Sequence, residues 1–162
     1  MRKVFGTFVV SIVALFVGTG NTYAGIVLPN GVLTDLGTFG AGTYTITGSG
    51  VVDLVGDGSF PIHPDGTPAP IVTTPGYSYF NPNGSFTADG NYGPAGANAK
   101  VGALIGTLTP SPSSPSDWFL IGYSTQVTLV TAGDIYASVN DTYYPNDTGF
   151  FNATVSPASA VP

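Results

Sequence analysis

Nowhere beyond residue 24 do apolar residues keep a helical period for ten positions, while 23 glycines and 14 prolines break the chain into short pieces. What remains is alternation with a period of two, the pattern of half-buried strands. The spacing predicts strands over 31–36, 43–47, 50–54, 76–80, 100–108, 118–123, 126–130, 134–139 and 150–155. Eight or nine short strands separated by turns make an all-β, single-domain β-sandwich. Between residues 56 and 98 stand Pro61, Pro64, Pro68, Pro70, Pro75, Pro82 and Pro94. Proline cannot donate to a sheet ladder, so this stretch reads as a long loop-rich excursion carrying one hairpin. The run from Pro110 to Ser116 reads as a turn between two core strands.

Arg2 and Lys3 precede an apolar run from Val4 to Val17, and small residues lead to Ala24. This is the layout of a secretory signal over residues 1–24, with the folded domain over 25–156 and a loose small-residue tail over 157–162. The apolar run falls short of the roughly twenty residues that span a bilayer, so no membrane insertion is expected after cleavage. The chain is expected to be secreted, periplasmic or at the cell surface. Loss of Arg2 and Lys3 moves the formal charge from −6 to −8 and leaves Lys100 and His63 as the only cationic side chains. Phosphates are neutralised by clustered cations, so neither nucleic acid nor an anionic membrane surface is an expected partner. Cysteine is absent, so one hydrophobic core must hold the fold without disulfides. With a single histidine and no cysteine, nucleophile–base pairs are scarcely available, and the chain does not read as an enzyme.

The acids are all aspartates, which favour turns and short oxygen-ligand loops over helices. The densest polar group runs Val139-Asn140-Asp141-Thr142-Tyr143-Tyr144-Pro145-Asn146-Asp147-Thr148-Gly149-Phe150. Ile135, Ala137 and Val139 alternate going in, and Phe151, Ala153 and Val155 alternate coming out, so the loop is expected to join two neighbouring strands that pair. Asp141, Asn146 and Asp147 offer side-chain oxygens, and Pro145 bends the loop back towards Asp141. Oxygen-rich turns of this kind suit calcium, which takes about six to eight oxygen ligands in irregular geometry. His63-Pro64-Asp65-Gly66-Thr67 reads as a turn, and Asp53, Asp57 and Asp65 read as turn formers before they read as a second ion site.

The loop also carries a resemblance. Gly102-Ala103-Leu104-Ile105-Gly106, then Trp118-Phe119-Leu120-Ile121-Gly122, Gly133-Asp134-Ile135-Tyr136, Val139-Asn140-Asp141 and Asn146-Asp147-Thr148-Gly149-Phe150-Phe151 resemble, in that order, the bacterial galactophilic lectins typified by the PA-I lectin. The likeness extends over residues 101–155. It implies a small β-sandwich of the jelly-roll or galactose-binding-domain-like kind, a bound Ca2+ and carbohydrate, galactosides among them, as partner. It further implies that backbone carbonyls of Tyr143 and Leu54 complete the shell around Asp141, Asn146 and Asp147. Asp141 and Asn146 then also touch the sugar, with Tyr143, Tyr144, or Tyr77 and Tyr79, supplying an aromatic face. The loop is two residues shorter than in those lectins, Asp147 replaces a second asparagine, and their additional sugar-contacting His and Gln have no counterpart. The extra carboxylate adds attraction for a cation.

Overall fold

The computed structural model describes residues 22–56, 58, 61–67, 99–141 and 144–159. Nine strands run through these residues: β1 (Tyr23–Val27), β2 (Thr34–Phe39), β3 (Gly42–Asp53), β4 (Pro61–Ile62), β5 (Leu104–Thr107), β6 (Trp118–Leu120), β7 (Ser124–Leu129), β8 (Gly133–Val139) and β9 (Thr148–Pro157). They form two antiparallel sheets. One has the order β1-β9-β3, with β4 and β7 both on the far side of β3, and the other has the order β2-β8-β5-β6. The fold is the all-β sandwich that the alternation predicts.

Alternation decides which side chains meet between the sheets. Ile135, Ala137 and Val139 of β8 and Phe151, Ala153 and Val155 of β9 all point into one core, joined by Val27, Ile46, Val52, Leu104 and Ile121. Each large apolar side chain sealed from water there contributes about 1.5–3 kcal/mol. The outer face of β5 carries a smaller cluster of Ala99, Ala103 and Ile105, with Trp118 packed against it.

Four features depart from the strand-by-strand expectation or extend it. β8 and β9 do not pair; β8 lies beside β2 and β5 and β9 beside β1 and β3, so the loop between them crosses from one sheet to the other. β9 finds its partner in β3, along a ladder running from Tyr44↔Pro157 to Asp53↔Thr148. The segments 43–47 and 50–54 belong to that single strand. Gly48 reads in sequence as a break, yet it permits a close approach between the sheets: a Cβ there would stand 2.2 Å from the Gly122 carbonyl oxygen. The expected strand at 100–108 shortens to β5 because Lys100 to Ala103 turn, with the Ala103 N–H donating to the Lys100 carbonyl at 3.2 Å.

At the start, β1 takes in Tyr23 and Ala24, which pair with Val155 and Thr154. At the end, β9 continues to Pro157, and the Ala158 N–H donates to the Thr43 carbonyl at 2.9 Å. The hairpin expected at 76–80 lies outside the described residues.

Candidate functional site

The site grows from the register of the β3–β9 pair. Because Asp53 stands opposite Thr148, the residues leaving β3 and those entering β9 lie side by side. Asn146 donates its carboxamide N–H to the Leu54 carbonyl at 2.9 Å across that gap. Tyr144 to Asn146 form one turn of 3-10 helix, closed by the Asp147 N–H on the Tyr144 carbonyl at 3.1 Å. Gly56 lies against this turn with φ of +74°, and a Cβ there would meet the Asn146 carbonyl oxygen at 2.3 Å. Only glycine satisfies both the backbone angle and the contact.

Two polar residues hold the edges of the loop. The Asp53 carboxylate accepts the Val55 N–H at 2.9 Å, the Gly56 N–H at 3.2 Å and the Gly58 N–H, which fixes the turn that presents Leu54. At the entry from β8, Asn140 is fully buried. Its carboxamide donates to the Ala99 carbonyl at 3.1 Å and the Lys100 carbonyl at 2.9 Å. Its backbone N–H donates to the Ala103 carbonyl and its carbonyl accepts the Gly102 N–H, both at 2.8 Å. A loop that changes sheets would otherwise leave these peptide groups without partners.

Asp141 follows, 6% exposed, and its charge acts on Asp147. Burial pushes the Asp147 carboxyl up to about 7, and the negative charges of Asp141 and then Asp53 push in the same direction. The Oδ1 of Asn146 and both carboxyl oxygens of Asp147 are sealed from water, with no hydrogen-bond donor among the described residues. A proton shared with Asp141 gives one Asp147 oxygen a partner; with both carboxylates ionised, they only repel. Buried oxygens are ordinarily satisfied, so the arrangement is electrostatically incomplete.

A hard cation fits this donor set. Two carboxylates, a carboxamide oxygen and the Leu54 carbonyl are all oxygen ligands, and positive charge between them removes the repulsion. Among the described residues no three His, Cys, Asp or Glu side chains converge on one point. The neutral oxygens are therefore needed to build a shell. Asn146 reaches the Leu54 carbonyl and Asp147 lies against Asp141, while Tyr143 lies outside the described residues, as do Tyr77 and Tyr79.

Tyr144 stands at the rim. Its ring lies on Gly31, where a Cβ would meet ring carbon Cε2 at 2.7 Å, and its hydroxyl donates to the Asp141 carbonyl. Burial pushes the phenol up to about 12, with Asp141 and Asp147 adding to the shift, so it stays protonated. Beside it opens a cleft of about 400 Å³, with Leu33, Pro112, Trp118 and Ser138 around it and Asp141 and Tyr144 at one end.

His63 takes no part in this site. It opens the expected turn, donating its backbone N–H to the Thr67 carbonyl at 2.8 Å, and Asp65 accepts the Thr67 N–H at 2.9 Å and its hydroxyl at 2.6 Å. Hydrogen bonds from Thr67 hold the Asp65 carboxyl below its usual range despite burial, with Lys100 and His63 assisting. Asp53 thus serves the cross-sheet loop and Asp65 its own turn. The organising roles of Asp53, Asn140 and Trp118 are not evident from the sequence; the nearest signals are the glycines after Asp53, the asparagine directly before Asp141, and the chain's single tryptophan.

No protein-family model matches the sequence, and no curated protein matches it. A solved structure described as "EclA N-terminal domain; PllA-like lectin" shares the fold, with a TM-score of 0.53 at 16% identity over 84% of this chain and 96% of that one.

Proposed function

We propose that the chain is an exported, calcium-dependent carbohydrate-binding domain whose ion is held by Asp141, Asn146, Asp147 and the carbonyls of Leu54 and Tyr143. The observation that carries this reading is the set of buried, donor-free oxygens on Asn146 and Asp147 beside a second carboxylate. The lectin-like fold supports it. When bound, calcium supplies coordination places at which neighbouring sugar hydroxyls replace water. The chain's own part is to fix the loop through Asn140 and Asp53, to hydrogen-bond the sugar hydroxyls at Asp141 and Asn146, and to set the ring of Tyr144 beside the apolar face of the sugar.

A carboxylate held ionised by a cation is no proton donor, so the same arrangement argues for binding over glycoside cleavage. Galactosides are the first sugars to try. The test is retention of the exported chain on immobilised glycans with calcium present. The reading requires retention that ends on chelation and is absent in Asp141→Ala; retention that survives a chelator would refute it. Calcium binding with no retention on any glycan would leave the ion with the narrower role of stiffening the loop.

A further inference from the structure

The cleft beside the loop has walls whose chemistry is distinct from that of the ion cluster. It lies on the outer face of the β2-β8-β5-β6 sheet, with Ser138 of β8 at its base and Asp141 and Tyr144 at the end nearest the ion loop. Trp118 closes one side, and its position is fixed because it packs onto Ala99, Ala103 and Ile105. Pro112 and Leu33 add apolar surface. The Ser138 hydroxyl donates to the Val139 carbonyl at 3.3 Å, which leaves its lone pairs for an incoming donor. The cleft therefore combines aromatic and aliphatic walls with a hydroxyl acceptor, and among the described residues no Lys, Arg or His lines it.

We infer that this cleft is a second saccharide subsite, which takes the neutral pyranose linked to the sugar at the calcium loop. The inference rests on the proposed sugar-binding function and names the ligand more closely: a neutral oligosaccharide. A pyranose has one apolar face for Trp118 and hydroxyl donors along its edge for Ser138. The volume of about 400 Å³ is near the lower end for small-molecule sites, which suits one further ring. A Trp118 already held by packing loses little freedom when a ring stacks on it.

Trp118 is the only tryptophan in the chain, so its emission reports this cleft alone. The test titrates methyl galactoside and a galactose disaccharide into the calcium-loaded chain, following heat and Trp118 fluorescence together. The disaccharide is expected to bind about tenfold tighter than the monosaccharide and to shift the emission. Trp118→Ala and Leu33→Ala should each bring it down to the monosaccharide level, while Trp118→Phe keeps most of the gain and all three keep their calcium affinity. Equal affinities with unchanged emission would overturn the subsite and leave the calcium-dependent sugar site standing. Absence of any saccharide heat would overturn both.

Discussion

Replacing Asp147 by asparagine separates a cation site from an ordinary turn, because the two predict opposite signs. In the ion-free chain the Asp147 carboxyl sits at about 7 against an ordinary 3.8, so the folded state holds its proton more tightly than the unfolded state does. The resulting stability is complete below about pH 4 and is lost as the pH rises through about 7. Sealed from solvent, a gap of that size would correspond to about 4 kcal/mol. The Asp147 oxygens are covered but the residue as a whole is only half-buried, and screening by the water nearby reduces this to about 1–2 kcal/mol. Asp147→Asn removes the charge and offers an amide donor to Asp141.

In chelator at pH 7.5 the variant should therefore melt about 4–8 °C higher than the parent, and the fall in stability between pH 5 and pH 7.5 should flatten. With calcium the order reverses: the variant loses a charged ligand, and its calcium affinity should drop about tenfold or more. Thermal melts with and without chelator, at both pH values, read all of this. A variant that melts lower than the parent in chelator, or binds calcium as well as the parent, refutes the electrostatic reasoning.

Other expected outcomes follow from the same geometry. Gly56→Ala drives a Cβ to 2.3 Å from the Asn146 carbonyl oxygen at a φ of +74°; melting should fall by about 1–3 kcal/mol and calcium affinity with it, and an unchanged calcium titration would detach this glycine from the loop. Tyr144→Phe loses the bond from the hydroxyl to the Asp141 carbonyl and should cost about 1 kcal/mol in denaturant unfolding. Phe151→Ala empties the centre of the core, where Phe151 is fully buried, and should cost about 3–5 kcal/mol in the same assay without altering the pH dependence. Asn140→Ala removes the carboxamide donor from the Ala99 carbonyl and one of two donors from the Lys100 carbonyl, which keeps the Ala103 N–H; a loss of about 1–3 kcal/mol is expected, together with weaker calcium binding because Asp141 is the next residue.

The sequence carries the sandwich because burial on one face writes itself as alternation, and the runs around Ile135 and Phe151 are read correctly from it. The partners of those runs are not legible in this way. Period two says which side chain points inward and is silent on which strand lies alongside, so β8 and β9 look like a hairpin while they belong to different sheets. Gly48 misleads for a related reason: a glycine in a strand marks either a break or a close approach, and only the position of Gly122 tells which. The chemistry of Asp141, Asn146 and Asp147 is legible because few side chains offer oxygens in so short a span. Asp53 becomes part of the same site only through the β3–β9 register, a long-range fact that local spacing does not contain. The Trp118 cleft is likewise assembled from β6, β8 and the loops beside them.

The account stands most directly on calorimetric titration of calcium into the chelator-treated chain, parent beside Asp141→Ala. It predicts one saturable binding event in the parent and none in the variant, with the variant still folded by its β-sheet circular dichroism. No binding heat in the parent, or equal heats in the two folded proteins, would mean that the oxygens of Asp141, Asn146 and Asp147 are not an ion site.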